Sequence, residues 1–251
     1  MKEAASKIVV SGHRGGKLAY ENTITGFKLA IDHGIPQIEF DVWLTRDKIP
    51  IVIHGSEEGT IGFENESTGV TKESKITELT LEQIKSLELP ENEEVPTLEE
   101  LLDLCTGKIH LNVEIKDPNI EICQIVMDML KDRGYTGETV CFSSFKHHIL
   151  KELKNIDPSF PCGYLYEYDE VMDVAYYPEH GDSVNIPYTH LTQELVDNCN
   201  RKGKKIAVYF PGKFPEDPSN YQKVLEMGVH TFISDKPLEF MAYLKSLDSL
   251  Q

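Results

Sequence analysis

Short apolar runs alternate with longer amphipathic segments along the chain, and this alternation predicts alternating strands and helices. Short runs that are rich in valine and isoleucine are typical of buried strands. The first half of the chain contains four such runs, at residues 8–12, 38–42, 49–53 and 109–115. In the second half, strands are predicted at residues 140–143, 163–166, 183–186, 205–210 and 230–233.

Apolar residues at helical spacing lie between these strands. Helices are predicted at residues 24–31, 97–104, 120–131, 147–153, 193–201, 221–227 and 238–244. Asn22 or Thr23 can cap the first of these helices, and Gly34 ends it. The segment from the strand at 163–166 to about Gly181 is poorly patterned.

Repeated strand–helix units predict a parallel sheet with right-handed crossovers. About eight such units in a chain of 251 residues predict an α/β fold with a single closed (β/α)8 barrel of the TIM type. A doubly wound open sheet is the competing architecture. It lacks support because residues 12–17 resemble a phosphate-binding loop only faintly, with a spacing one residue short and Leu18 where Ser or Thr is needed.

Residues 55–95 interrupt the alternation. They are rich in Gly, Glu, Ser and Thr, and carry one predicted helix near residues 81–87. This composition predicts that the segment forms no core of its own. Because the segment follows His54 directly, we expect it to lie over the mouth of the barrel. The prediction is therefore one domain, residues 1–251, with 55–95 inserted after the second barrel strand region.

The charge balance is strongly acidic. Lys and Arg number 25 and Asp and Glu number 42, which gives a net charge of −17. This argues against a nucleic-acid partner and against adsorption to anionic membranes. An anionic small-molecule substrate stays compatible, because a metal ion with Arg14 and Lys116 could make the pocket locally positive.

The five cysteines show no C-x-x-C spacing and are odd in number, so we expect them to be buried apolar residues. The apolar run near the start is too short for a signal-peptide core. No apolar stretch approaches membrane-spanning length, so no stable membrane insertion is expected. A reducing, cytoplasmic setting fits these features best. The oligomeric state is left open.

Charged residues are placed on or just after the four apolar runs of the first half. They are His13, Arg14, Glu39, Asp41, His54, Glu114 and Lys116. Acids and histidines at the ends of buried strands are costly unless they are paired, bound to metal or catalytic. Buried ion pairs that only support the fold could explain one strand, but they explain four poorly. One site, assembled where strand ends converge, is the better explanation.

These residue types suit a metal-assisted attack on an anionic ester. Glu39 and Asp41 lie two apart on a strand, so their side chains share a side, and Glu114 ends another strand. Three convergent carboxylates repel one another unless a cation lies among them. Because oxygen-only ligands suit hard cations, one Mg²⁺ or Ca²⁺ ion is predicted, with the choice left open.

The remaining residues suit phosphoryl chemistry. Imidazoles titrate near neutrality, so His13 and His54 can serve as general base and general acid on opposite sides of a phosphorus centre. Which histidine has which role is left open. Arg14 offers a bidentate fork to phosphoryl oxygens, and Lys116 offers a point charge beside Glu114.

Several motifs together resemble the glycerophosphodiester phosphodiesterase family. They are His13-Arg14-Gly15, Glu21-Asn22-Thr23, Glu39-Phe40-Asp41-Val42, Thr45-Arg46-Asp47, Pro50-Ile51-Val52-Ile53-His54 and Glu114-Ile115-Lys116, followed more weakly by Ser143-Ser144-Phe145, Gly228-Val229 and Ser234-Asp235-Lys236-Pro237. The resemblance covers nearly the whole chain. It implies a (β/α)8 barrel, dependence on a divalent metal, and hydrolysis of glycerophosphodiesters to glycerol 3-phosphate and an alcohol.

By motif position, the resemblance implies site roles for seven residues. The metal ligands would be Glu39, Asp41 and Glu114, the acid–base pair His13 and His54, and the phosphate-binding residues Arg14 and Lys116. In the expected reaction one histidine deprotonates the glycerol 2-hydroxyl, which attacks phosphorus, while the other protonates the leaving alcohol. Water then opens the cyclic phosphate.

Two positions depart from the family pattern. Gly55 stands where the family usually has Asp, and Val208-Tyr209-Phe210 stands where a Trp-containing motif is usual. Both departures bear on the preferred alcohol, which is left open. The competing functions are a related barrel phosphodiesterase or phospholipase D that acts on lysophospholipids, and a non-catalytic barrel that binds phosphorylated ligands.

Overall fold

The computed structural model describes residues 8–166, 181–210 and 215–249. Within them, eight parallel strands close into a barrel, because the first strand pairs with both the second and the last. The barrel strands are β1 (Val9–His13), β2 (Gln37–Leu44), β4 (His110–Ile115), β5 (Val140–Ser144), β6 (Cys162–Leu165), β7 (Ser183–Pro187), β8 (Lys205–Tyr209) and β9 (Thr231–Ser234). One further strand, β3 (Pro50–Val52), pairs with β2 outside the barrel wall. The predicted barrel is confirmed.

Helices connect the barrel strands. They are α1 (Ile24–Asp32), α2 (Leu81–Lys85), α3 (Leu98–Cys105), α4 (Glu121–Asp132), α5 (His147–Ile156), α6 (Gln193–Arg201), α7 (Pro218–Met227) and α8 (Pro237–Ser249). The cap of α1 is Thr23, whose hydroxyl accepts the Gly26 N–H. Most of the poorly patterned segment before Gly181 lies outside the described residues.

The third apolar run differs in direction from the other three. β3 is antiparallel to β2, with Val52 opposite Val42, so it is the return arm of a hairpin rather than another strand ending at the shared edge. The turn residue Lys48 has a φ of 66° and donates its N–H to the Thr45 carbonyl. His54 still reaches the site, because β3 runs back along β2 and follows it past Asp41.

The main hydrophobic core fills the barrel and the space between its strands and helices. α3 shows how the sequence builds one layer of this core. A capping box at Thr97 and Glu100 starts the helix, and the apolar face of Leu98, Leu101, Leu102 and Cys105 is fully buried.

Residues 55–95 supply most members of a second hydrophobic core, contrary to the prediction that they form no core of their own. The buried members are Trp43, Ile51, Ile53, Ile61, Val70, Ile76, Leu79, Ile84, Leu87, Leu89 and Val95. Apart from the predicted helix near residues 81–87, each apolar residue of the insertion is isolated among polar neighbours. Trp43, Ile51 and Ile53 of the β2–β3 hairpin complete the packing, which composition alone could not reveal.

All five cysteines are free, and Cys105, Cys123, Cys162 and Cys199 are buried, which agrees with their predicted role in packing. None of the helices in the described ranges combines the length and apolar character that a bilayer crossing requires.

Candidate active site

Three buried carboxylates converge on neighbouring strands β2 and β4. Asp41 lies opposite Glu114 in the parallel register, and Glu39 shares the side of Asp41 as the strand period requires. Their exposed fractions are 2% for Glu39, 1% for Asp41 and 8% for Glu114. Ligand oxygens from all three lie within 4.8 Å of one another. The cluster could therefore hold a metal ion.

The electrostatics of this cluster show an excess of negative charge. Burial, and then the charge of Asp41, raise the pKa of Glu39 to about 8. Burial also raises the pKa of Glu114. Burial opposes ionisation of Asp41, but its cationic neighbours keep the pKa of that carboxyl low. Glu39 Oε1 is buried and has no hydrogen-bond partner among the residues that the structure describes. An orphaned carboxylate oxygen within an oxygen-only cluster is what a hard divalent cation would satisfy.

Two cations flank the carboxylates. Arg14 Nε lies 3.3 Å from Asp41 Oδ2, and Arg14 Nη1 donates to both oxygens of Glu21 at 3.1 Å. Lys116 Nζ lies 3.4 Å from Glu114 Oε1 and 3.7 Å from Asp41 Oδ1. Both positive groups are thus held beside the proposed metal position, where an anionic substrate would need them.

The loop after β1 places Arg14 in a strained conformation. Arg14 has a φ of 51°, and its backbone N–H donates to Glu39 Oε2 at 3.1 Å. The turn closes through a bond from Gly16 N to His13 O at 2.7 Å. Residues held in such conformations occur in turns and cluster at functional sites. The turn thereby places His13 and Arg14 beside Glu39 and Asp41.

His13 is held between two carboxylates. Its Nδ1 lies 2.7 Å from Asp235 Oδ1, and its Nε2 lies 3.9 Å from Glu39 Oε2. Burial opposes protonation of His13, but the hydrogen bond to Asp235 and the charge of Glu39 outweigh it and raise the pKa of His13. Lys17 Nζ lies 2.6 Å from the other oxygen of Asp235. Burial disfavours the charged form of Asp235, yet the interactions of this carboxylate with His13 and Lys17 lower its pKa to about 2.

His54 has the opposite surroundings. Burial lowers the pKa of His54 to about 4; Asp41 opposes this shift, whereas Arg14 and Lys116 reinforce it. The backbone of His54 is fixed by Trp43, whose Nε1 donates to the His54 carbonyl at 3.0 Å. The two histidines therefore differ in charge preference although both face the same cluster.

Gly55 departs from the family pattern for a packing reason. Its φ is +65°, and a Cβ there would lie 2.7 Å from Ile76 Cδ1, 3.2 Å from the Thr60 carbonyl and 3.3 Å from Trp43 Nε1. The second core therefore occupies the space that an Asp side chain would need. The insertion thus helps to set the position of the backbone next to His54.

Gly55→Ala should lower the free energy of unfolding by about 1–3 kcal/mol and also lower kcat, because relief of the clash must move Trp43, Ile76 or His54. Thermal denaturation and steady-state kinetics measure both effects. Gly69→Ala is the matched control, since Gly69 has a φ of +72° with nothing within 4 Å of its added Cβ. If the control variant loses as much kcat as the Gly55 variant, packing around His54 is not the cause.

Several residues of the site lie in or near the sequence motifs, but the sequence predicts no role in the site for them. Asn22 Nδ2 donates to Asp41 Oδ2 at 2.8 Å and orients that carboxylate. Asp235 binds His13, Lys17 binds Asp235, and Glu21 binds Arg14. The signal for Asn22, Glu21 and Asp235 was their position in the E-N-T and S-D-K-P motifs; no spacing rule pointed to Lys17.

A cavity of about 190 Å³ adjoins the site. Its wall combines the loop after β1, the end of β3 and the insertion, and its lining residues are Tyr20, Glu21, Asn22, Val52, Ile53, His54, Gly55, Ser56, Ile61, Gly62, Phe63 and Leu89. The backbone N–H of Tyr20 donates to Glu91 Oε2 at 3.3 Å, which ties the loop to the insertion. The structure thus brings the seven predicted site residues together and places the insertion beside them.

The chain matches the model of the glycerophosphoryl diester phosphodiesterase family over residues 13–239. It is 32% identical over 247 residues to a glycerophosphodiester phosphodiesterase of Caldanaerobacter subterraneus subsp. tengcongensis, covering 92% of this chain and 95% of that protein. It is 26% identical to a glycerophosphocholine phosphodiesterase of Mus musculus, covering 92% of this chain and 44% of that protein.

Solved structures give the same result for the fold. A glycerophosphodiester phosphodiesterase from Thermotoga maritima superposes with a TM-score of 0.71 at 26% identity, covering 94% of this chain and 97% of that one. An Oleispira antarctica phosphodiesterase in complex with the product sn-glycerol-3-phosphate has a TM-score of 0.80 at 23% identity, covering 96% of this chain and 99% of that one. The chain therefore belongs to the glycerophosphoryl diester phosphodiesterase family and is a phosphoric diester hydrolase.

Proposed function

We propose that this enzyme hydrolyses glycerophosphodiesters to sn-glycerol 3-phosphate and an alcohol at the site around Glu39. One observation carries the proposal: two half-buried cations, Arg14 and Lys116, and the two histidines surround a buried cluster of carboxylates. The product bound to the Oleispira antarctica neighbour supports the choice of glycerol 3-phosphate.

Glu39, Asp41 and Glu114 would hold one divalent cation, Mg²⁺ or Ca²⁺. Their oxygen-only chemistry and the unpartnered Glu39 Oε1 support this. When bound, such an ion neutralises phosphoryl oxygens and polarises the phosphorus centre. Arg14 and Lys116 then bind the phosphodiester, since both side chains already lie against Asp41.

Proton transfer would fall to the two histidines, and their surroundings divide the roles. His54, near two cations, is the neutral base that takes the proton of the glycerol 2-hydroxyl as its oxygen attacks phosphorus. His13, between Asp235 and Glu39, is the acid that gives a proton to the leaving alcohol. In the second step the roles reverse, water opens the cyclic phosphate, and both histidines return to their starting states.

Product analysis tests this function against the lysophospholipid alternative. Purified enzyme is incubated with glycerophosphocholine or with lysophosphatidylcholine, and the phosphorus-containing products are resolved by ³¹P NMR. Release of glycerol 3-phosphate from the first substrate, with little turnover of the second, is expected. Preferred cleavage of lysophosphatidylcholine would favour the alternative, and no turnover of either would favour a binding protein.

Residues 1–251 would form a single domain. Within it, the insertion at residues 55–95 would limit the size of the substrate. Support comes from the cavity wall, where Phe63 and Leu89 of the insertion face the same space as His54. Such a wall leaves room for a small alcohol and opposes acyl chains. In barrel enzymes, the loops that follow the strands are where substrate specificity is built.

Phe63→Ala should raise kcat/KM for bulky diesters, such as glycerophosphoinositol, by about tenfold, because a half-buried ring leaves the cavity wall. The same variant should leave kcat/KM for glycerophosphoethanolamine nearly unchanged, which serves as the internal control. Phe63 is preferable to a deletion of residues 60–75, which would remove the buried Ile61 and Val70. An unchanged substrate ranking would show that the insertion does not select by size.

A cytoplasmic enzyme that acts on small molecules agrees with two further features. The net charge of −17 disfavours anionic membranes and nucleic acid as partners. The five cysteines are all free, as is usual in a reducing compartment. Fractionation of cells that express the enzyme, followed by immunoblotting, tests this location.

A further inference from the structure

Glu216 is a buried carboxylate that the proposed reaction does not use. It lies just before α7 and is 7% exposed. Its Oε1 accepts the Asp235 N–H at 2.8 Å, and its Oε2 accepts the Lys236 N–H at 3.3 Å and the Ser234 hydroxyl. The three donors lie at the end of β9 and in the turn that follows it.

Burying the Glu216 carboxylate costs free energy, and its hydrogen bonds to residues 234–236 offset that cost. Burial raises the pKa of Glu216, so holding its charge there requires compensating donors. Ser234 is fully buried, and its Oγ also accepts the Lys236 N–H at 2.9 Å. The backbone of residues 234–236 is therefore fixed by one carboxylate and one hydroxyl, both buried.

Asp235 lies in the middle of this turn. Its carboxylate reaches across to His13 Nδ1 at 2.7 Å and Lys17 Nζ at 2.6 Å. A bond of 2.7 Å tolerates little displacement of either partner. The direction of the Asp235 side chain depends on its backbone, and Glu216 holds that backbone.

Support of the helix does not explain Glu216. α7 is already capped by Asp217, whose carboxylate accepts the Ser219 and Asn220 N–H groups. Among the bonds described for the Glu216 carboxylate, all go to residues 234–236 and none to α7. We propose that Glu216 is a positioning residue that acts through Asp235 to hold His13 in its catalytic orientation. This inference rests on the proposed acid–base role of His13.

A double-mutant cycle on the full-length, metal-loaded enzyme tests the inference. The variants are Glu216→Gln, Asp235→Asn and their combination, assayed on glycerophosphocholine. Glu216→Gln keeps the side-chain volume but turns an amide N–H₂ toward a backbone or hydroxyl donor. It should lower kcat about tenfold at unchanged KM, and Asp235→Asn about 10²-fold. The combined variant should match Asp235→Asn alone, because Glu216 acts only through Asp235.

The matched control is Asp217→Ala, which removes the neighbouring helix cap. It should lower the melting temperature and leave kcat unchanged. If Glu216→Gln behaves like this control, or if its effect adds fully to that of Asp235→Asn, the inference is wrong. The His13→Ala variant distinguishes failure of the inference about Glu216 from failure of the proposed function. A His13 variant with full kcat would overturn the acid–base role itself, whereas an inactive one leaves that role standing.

Discussion

Replacing either His13 or His54 by alanine should lower kcat for glycerophosphocholine by about 10²-fold or more, because each variant loses one partner in proton transfer. The fold should survive, since residues at this end of a barrel serve catalysis more than stability. Steady-state kinetics and thermal denaturation measure the two quantities. A variant that loses stability but keeps kcat would show that its histidine is structural.

The leaving group distinguishes the two histidines. p-Nitrophenolate leaves without needing a proton. On a glycerophosphodiester of p-nitrophenol, His13→Ala should therefore recover most of the first-step rate, measured as the single-turnover release of p-nitrophenolate, and His54→Ala should not. This follows from the hydrogen bond between His13 and Asp235 and from the position of His54 near Arg14 and Lys116. Rescue of the His54 variant instead would reverse the two roles.

Glu39→Gln should abolish turnover that depends on a divalent cation, because the substitution removes one charged ligand from the carboxylate cluster. The amide keeps the volume of the side chain and relieves the crowding of buried negative charge. Stability without metal should therefore stay equal or rise. Isothermal titration with Mg²⁺ or Ca²⁺ and thermal denaturation measure the two effects. Normal cation affinity in this variant would exclude Glu39 as a ligand.

Cation binding should also depend on pH in a defined direction. Burial and the charge of Asp41 raise the pKa of Glu39 to about 8, against about 4.3 for an unperturbed Glu. In the metal-free fold the raised pKa of Glu39 favours the protonated carboxyl. The stability that this protonated form contributes is lost as the pH rises through about 8. Ligation needs the ionised form, so added cation should raise the melting temperature more at about pH 9 than at about pH 6. An equal rise at both values would contradict this.

The barrel could be predicted because its signals are local and repeated. Each strand is a short apolar run, and the helices show apolar spacing, several of them with a side-chain cap such as Thr97. Convergence of Glu39, Asp41 and Glu114 followed from strand period and parallel pairing alone. These features are set by nearby residues, so a single sequence contains them.

Features that depend on distant contacts could not be predicted. The second core depends on pairing isolated apolar residues of the insertion with Trp43 of β2. The bond between His13 and Asp235 joins residues 222 positions apart. No spacing rule links such partners, because closure of the barrel alone brings β9 beside β1.

The most direct test of the central claim is release of sn-glycerol 3-phosphate from a panel of glycerophosphodiesters by enzyme that was exhaustively treated with EDTA. No release should occur from any member of the panel without metal, and re-addition of Mg²⁺ or Ca²⁺ should restore it. Glu39→Gln should stay inactive under both conditions. Full activity after exhaustive chelation, or no release from any diester with either cation present, would contradict a metal-dependent glycerophosphodiesterase built on Glu39, Asp41 and Glu114.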